Sequence, residues 1–350
     1  MKRISYKNIK YSLINFLRLV IYFSGAAFLV YSISKNGAIV LTYHRVNNTS
    51  YDPSITVSVK NFEKQIEYLA KRRRVVSLED LITYIQNGIG FPKGSVVITF
   101  DDGYRDNYTN AYPILKKYNM PFTIFLTTDY IGSDKLIWYD ELRYKIKESN
   151  CDYFELKTNN SERYNIGNKK GKSETFVDLL RLLIDSSEEK RKALLLELDD
   201  ELRVKVPKRI ARDTMLSLED IKEMSVENQV SFGAHTCSHC RLTSVSLEDA
   251  KEEIVGSKLK IEKEIGKEIK LFSYPYGGYN ERIKQILEEN GFDCAVTINY
   301  GNNALESDFF ELKRIGVNDS FWLFKYNLMC VEVEERLRNI YYKIFKRLGS

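Results

Sequence analysis

The chain has 350 residues, 43% hydrophobic and 29% charged, which is ample for a large core and excludes wholesale disorder. A net charge of +5 over this length, with no dense arginine patch interleaved with aromatics outside the termini, argues against nucleic acid as a partner. Five scattered cysteines, an odd number, do not make a disulfide framework.

The first predicted element is the apolar run Leu13 to Ile33, LINFLRLVIYFSGAAFLVYSI, about the length that crosses a hydrocarbon core of roughly 30 Å. Only Asn15 and Arg18 interrupt it. Arg18 lies near its amino end, where it can snorkel, and joins Lys2, Arg3, Lys7 and Lys10 in a basic flank. Positive-inside logic makes this a single-pass membrane anchor with a cytoplasmic amino terminus and everything after Lys35 outside. The alternative is a cleaved signal peptide with Ser32 and Ser34 before the cut, which gives a secreted protein. Either way the body of the chain leaves the cytoplasm.

After this flank and anchor (1–35), short apolar runs alternate with amphipathic stretches through residue 320. The strands are predicted at Ala38–Tyr43, Ser95–Phe100, Phe122–Thr127, Val230–Ala234, Lys270–Tyr274, Cys294–Ile298 and Leu312–Val317. Most are continuously hydrophobic, as parallel strands covered on both faces must be. Helical patterns fall at Val59–Lys71, Leu78–Asn87, Tyr108–Tyr118, Leu247–Ile265 and Asn280–Asn290. From about Ile137 to Pro207 the rhythm lapses into charged, helix-prone sequence, which reads as a helical insertion. The closing stretch, 321–350, is basic and aromatic, too charged to span a bilayer, and reads as a terminal helix packing back on the domain.

Chemistry concentrates at the ends of the predicted strands. SVVITF runs into Asp101-Asp102-Gly103, two like charges placed where burial begins, a costly arrangement unless something holds them. All three histidines follow strands as well: His44 after LTY, His235 after SFGA, and His239 four residues later. The carboxyl ends of parallel strands are where α/β sites are built. Two imidazoles at i, i+4 with one carboxylate make a three-ligand site for a divalent ion, leaving a position for water. A dication bound by one aspartate would also favour ionisation of its neighbour. Side chains alternate along a strand, so both aspartates cannot reach one ion from regular β geometry, and Gly103 lets the chain turn away at once. Cys237 and Cys240 form half of a zinc ribbon without a second CxxC. A facial triad for iron needs the same ligand types on an all-β scaffold, and a glycosidase needs separated carboxylates without a histidine pair.

TFDDG, then HTCSH, then SYPYGG together resemble the NodB-homology polysaccharide deacetylases of carbohydrate esterase family 4, over about Ala38 to Val317. The resemblance implies a distorted (β/α) barrel of about seven parallel strands. It also implies a hydrolase that removes N-acetyl groups from an amino-sugar glycan with a bound divalent metal, Zn²⁺ foremost, with Co²⁺, Ni²⁺ or Mn²⁺ as alternatives. By the same resemblance Asp101 corresponds to the general base, Asp102, His235 and His239 to the metal ligands, and the Tyr276 N–H to an oxyanion donor, with Pro275 beside it in the substrate cleft. Two departures stand out. Ser273 occupies the place of a usual arginine, for which Arg314 is the candidate replacement, and no late histidine follows His239. The YHRV of Tyr43–Val46 is similar to a branch in which an early histidine fills that place, so His44 is the candidate acid. That branch is similar to the exported or membrane-associated deacetylases of poly-N-acetylglucosamine. Trp138, Tyr139 and Tyr279 are candidates to stack on sugar rings. The competing reading is a tethered carbohydrate-binding domain whose catalytic site has decayed, since Ser273 departs from the pattern.

Overall fold

The computed structural model describes residues 18–33, 37–49, 52 and 54–348. Its centre is a barrel of seven short parallel strands: β1 (Ile39–Tyr43), β2 (Ser95–Phe100), β3 (Phe122–Leu126), β4 (Val230–Ala234), β5 (Leu271–Ser273), β6 (Cys294–Val296) and β7 (Arg314–Gly316). They are ordered β6-β5-β4-β3-β2-β1-β7, every pair parallel. A parallel bridge between Val296 and Leu312 brings the two outer strands together, so the sheet is nearly a closed barrel. Each predicted strand is present, Ser95–Phe100 and Val230–Ala234 with the expected bounds and the other five shortened by a residue or two at one or both ends.

The alternation of side chains divides the strands between two cores. Val40, Val97, Phe125, Leu271, Val296 and Leu312 fill the barrel, which α2 (Leu78–Gln86) plugs with Leu78, Leu81, Ile82 and Ile85. Leu41, Tyr43, Ile98, Phe100 and Ile124 point outward into the layer shared with the surrounding helices. Those helices include α1 (Val59–Arg72), α3 (Leu218–Ser225), α4 (Leu247–Ile265) and α5 (Glu281–Glu289). Both faces are buried, which is why the strand sequences show no polar alternation. The helix predicted over Tyr108–Tyr118 opens with a π-type turn, Asn107–Ala111, before the α-helix Tyr112–Lys117.

Residues 137–207 build their own core around Trp138, Leu142, Phe154, Tyr164, Phe176 and Leu194. The helical insertion contains a hairpin as well. Alongside the helices Trp138–Glu148, Lys169–Asp185 and Glu188–Leu202 there is an antiparallel hairpin, Tyr153–Leu156 with Glu162–Asn165. Its second strand lies in a polar stretch and buries only Tyr164, so no hydrophobic run announces it.

The apolar run of the amino terminus departs from a continuous span. Its residues 13–17 lie outside the described residues; the rest turns at Ser24-Gly25, with φ +80° at Gly25, and resumes as a helix only at Ala26–Ile33. Among the described residues no helix is long and apolar enough to cross a membrane. The segment instead lies on the terminal helix, Phe321–Leu348: Ala27 is buried with Tyr326 and Cys330, and Arg18 pairs with Glu334. That terminal helix packs back on the domain as expected, sending Phe324, Leu328 and Val331 into the main core.

Candidate metal centre and active site

Asp101 and Asp102 follow β2, His44 follows β1, His235 and His239 follow β4, and Tyr276 follows β5, so the carboxyl ends of four strands meet at one face. The cost of two adjacent buried carboxylates is met by giving each its own partners. Asp101, 4% exposed, hydrogen-bonds its backbone N–H to the Tyr43 carbonyl and still follows the strand. Asp102, 1% exposed, takes φ +77° and turns its side chain to the opposite side, with Gly103 at φ +80° completing the exit. A side chain at Gly103 would drive into Ile131 and Leu126, so this turn needs glycine.

Asp102 Oδ1 lies 3.5 Å from His235 Nε2 and 3.2 Å from His239 Nε2, and it accepts no hydrogen bond. The other nitrogens of the two rings are engaged: His235 Nδ1 with the Ser273 carbonyl at 2.7 Å, and His239 Nδ1 with the Tyr276 hydroxyl at 2.9 Å. A carbonyl only accepts, so His235 carries its proton on Nδ1 and presents the lone pair of Nε2, the tautomer a metal requires. Three buried lone-pair atoms within 4.8 Å of one another, one of them an orphaned carboxylate oxygen, are the donor set of a divalent cation. Burial alone would push the Asp102 carboxyl up, but the Nε2 protons that His235 and His239 carry when no cation displaces them hold it well below the usual carboxylate range.

Asp101 is governed from inside the barrel. Arg314, 2% exposed at the start of β7, reaches up past Thr99 and grips both oxygens, Nη1 to Oδ1 at 2.8 Å and Nη2 to Oδ2 at 2.7 Å. The Ser273 hydroxyl lies between them, 3.0 Å from Arg314 Nη2 and 3.3 Å from Asp101 Oδ2. Burial raises the Asp101 carboxyl, but Arg314, with the imidazoles of His235 and His44, overcomes it and keeps the group below its ordinary value. Arg314 thus reaches the Asp101 carboxylate from β7, with the Ser273 hydroxyl of β5 beside the pair. His44 is half-buried and near enough for a charged imidazole to favour both aspartates.

Among the described residues, half of the eight non-glycine residues with positive φ belong to this face: Asp102, Thr236, His239 and Tyr276. Such backbone is held only where its surroundings over-determine it. For the His235–His239 turn the restraint is Glu253 on α4, whose carboxylate accepts from the Cys237 and Ser238 N–H groups at 2.8 and 2.9 Å and from the Ser238 hydroxyl at 2.6 Å. Nothing in the local sequence marks Glu253, since it comes from a different element. Cys237 and Cys240 belong to this turn and form no disulfide.

The expected sugar-stacking aromatics are placed differently from one another. Trp138 is 6% exposed and packs in the insertion's core, so it presents no open face. Tyr139 bonds through its hydroxyl to Asp102 Oδ2 at 2.8 Å. Tyr279 stacks on Tyr274 and accepts from Asn299, apart from the three-ligand cluster. Pro275 is buried beside Tyr276, whose φ of +56° bends the chain over His239.

The sequence profile of the family described as polysaccharide deacetylase matches residues 89–174 and 187–295. The poly-beta-1,6-N-acetyl-D-glucosamine N-deacetylase of Staphylococcus aureus is 36% identical over 155 residues, 39% of this chain and 53% of that protein. The protein of that name from Staphylococcus epidermidis is 39% identical over 115 residues, 28% of this chain and 39% of its own length. The chain thus spans about half the length of the Staphylococcus aureus relative it matches. Among solved structures, the Streptococcus pyogenes deacetylase PplD in complex with acetate superposes with a TM-score of 0.58 at 19% identity, covering 85% of this chain and 99% of that one. IcaB from Ammonifex degensii gives 0.55 at 20% identity, covering 85% and 98%. At these identities the structural likeness is one of fold. The profile match, over more than half of the chain and through both the aspartate and the histidine motifs, makes this protein a member of the polysaccharide deacetylase family.

Proposed function

We propose that the chain hydrolyses the acetamide of N-acetylglucosamine units in a poly-β-1,6-linked glycan outside the cytoplasmic membrane, releasing acetate and leaving a free amine. The observation that carries this reading is the convergence of three buried metal-type donor atoms beside a second, ion-paired carboxylate. The staphylococcal relatives supply the substrate class. As a targeting sequence the apolar amino-terminal stretch with its basic flank supports the location, while in the structure its residues 18–33 pack on the terminal helix.

Asp102, His235 and His239 would hold the divalent ion, which when bound polarises the acetamide carbonyl and lowers the pKa of water. Asp101, anionic and oriented by Arg314, takes the proton of the attacking water. The Tyr276 N–H donates to the oxyanion that develops on the carbonyl oxygen. His44 delivers a proton to the nitrogen as the C–N bond breaks, so that an amine leaves instead of an amide anion. The intact Arg314–Ser273–Asp101 arrangement removes the reason for reading the site as decayed.

The test is amine and acetate release from a β-1,6-linked N-acetylglucosamine oligomer by metal-stripped and zinc-reconstituted protein. Release that depends on zinc and falls about 10²- to 10⁴-fold in His44→Ala is expected. No release from this oligomer, with release from a peptidoglycan or chitin fragment, would keep the chemistry and discard the substrate.

A further inference from the structure

The insertion does more than decorate the barrel. Tyr139 stands in the first turn of its leading helix, Trp138–Glu148, and gives its hydroxyl proton to Asp102 Oδ2, the oxygen that faces away from the imidazoles. Behind Tyr139 the Tyr104 hydroxyl lies 3.2 Å from the Tyr139 hydroxyl and 2.7 Å from Asp140 Oδ2. Tyr104 is fully buried and Asp140 is 1% exposed. The Arg45 guanidinium sits over the Tyr104 ring at 4.5 Å, lies 3.8 Å from Asp140 and bonds to Asp106. One continuous polar chain therefore ties the residue after His44, the Asp102–Tyr104 turn and the insertion helix to a single carboxylate.

A carboxylate with one oxygen pinned cannot turn about its terminal torsion, and its free oxygen is aimed. Hydrogen-bonding partners of ligating groups set orientation and affinity in metal sites generally. We propose that Tyr139, backed by Tyr104 and Asp140, is a positioning residue that fixes Asp102 as a one-oxygen metal ligand, so that the insertion completes the metal centre. This inference rests on the metal reading above. The rings themselves also pack, Tyr139 lying 5.3 Å from His239 and 5.5 Å from Trp138, edge to face in both cases. Removal of the hydroxyl alone separates the two roles, because Tyr139→Phe keeps those ring contacts.

Zinc affinity of the full chain is measured by competition with a chromophoric chelator, together with the melting temperature of the metal-free protein and the visible spectrum after Co²⁺ substitution. Tyr139→Phe is expected to bind zinc about 10- to 100-fold more weakly, with an altered Co²⁺ spectrum and an unchanged metal-free melting temperature. Tyr104→Phe, which strips Tyr139 of its support, is expected to lose less in the same direction and decides by the same criterion if Tyr139→Phe does not fold. Tyr164→Phe, which removes a hydroxyl elsewhere in the insertion, leaves affinity unchanged. Wild-type affinity in Tyr139→Phe would overturn this inference while leaving the metal reading intact. Failure of the wild-type chain to take up zinc would overturn both.

Discussion

Asp101 and Asp102 are neighbours in sequence, yet the two halves of the site they head are built by different parts of the molecule. Asp101 is held from below, by an arginine threaded through the barrel interior from β7. Asp102 is held from the side, by imidazoles on the β4 turn and a tyrosine from the insertion. Both carboxylates are kept ionised, one by a fixed guanidinium and one by groups that can release their lone pairs to a cation. Identical side chains thus meet different partners, a guanidinium for Asp101 and two imidazoles for Asp102, and the proposed division of roles rests on that difference.

The most severe way to break this division is to remove each carboxylate in turn. Asp102→Ala is expected to abolish both zinc uptake, read by metal analysis of dialysed protein, and turnover. Asp101→Asn should retain zinc and lose turnover about 10²- to 10⁴-fold. Zinc loss in both variants would show that the two halves do not act separately. Next in size, Arg314→Met leaves the Asp101 charge buried without its partner, and denaturant unfolding should register a loss of about 3 to 5 kcal/mol. The same variant should keep its zinc, since none of the three ligands touches Arg314.

Asp140 sharpens the comparison through pH. Burial outweighs the pull of Arg45 and raises its carboxyl to about 6. Below pH 4 it is protonated folded and unfolded alike. As pH rises to about 6 the unfolded chain releases this proton while the folded chain keeps it, so stability falls across that window, by about 3 kcal/mol in total for a carboxyl raised to about 6. Asp140→Asn should flatten that part of the profile in urea unfolding of metal-free protein between pH 4 and 7. The groups around it, Arg45, Arg143, Tyr104 and Asp102, remain to set the rest of the slope. The smallest effect is expected for Glu253→Ala, which frees the N–H groups of the histidine turn and should cost about 1 to 3 kcal/mol, with weaker zinc binding.

The parts of this architecture legible in sequence are those written in contiguous letters. Most barrel strands announced themselves because burial on both faces demands a nearly unbroken apolar run, whereas β7 carries the buried Arg314 within its run. The Asp102–His235–His239 cluster was readable because two histidines share one turn and the aspartates end a strand. Arg314 could be inferred from what Ser273 lacks, and the structure places its guanidinium on Asp101. Glu253 and the Ser273 carbonyl were not readable, since their contacts join elements far apart in the chain and leave no spacing to detect. Tyr139 was noticed for its ring, while the structure employs its hydroxyl. The nearest sequence signals were the tyrosine directly after DDG and the Trp-Tyr-Asp opening of the insertion. The amino-terminal run was legible as apolar, but the Ser24-Gly25 turn and the Arg18–Glu334 pair give it a partner within the chain.

That partner has a practical consequence for the two extremities of the polypeptide. Tyr31 covers the Arg73 guanidinium at 4.3 Å, and Arg73 in turn bonds to the Leu328 carbonyl, at the end of the barrel away from the catalytic face. Head and tail form one clasp there. Trimming the first 33 residues to obtain a shorter protein would bare Tyr326 and Cys330 and take Arg18 from Glu334, which keeps Arg338, so clumping of the truncated chain should set in while its catalytic groups still stand in register.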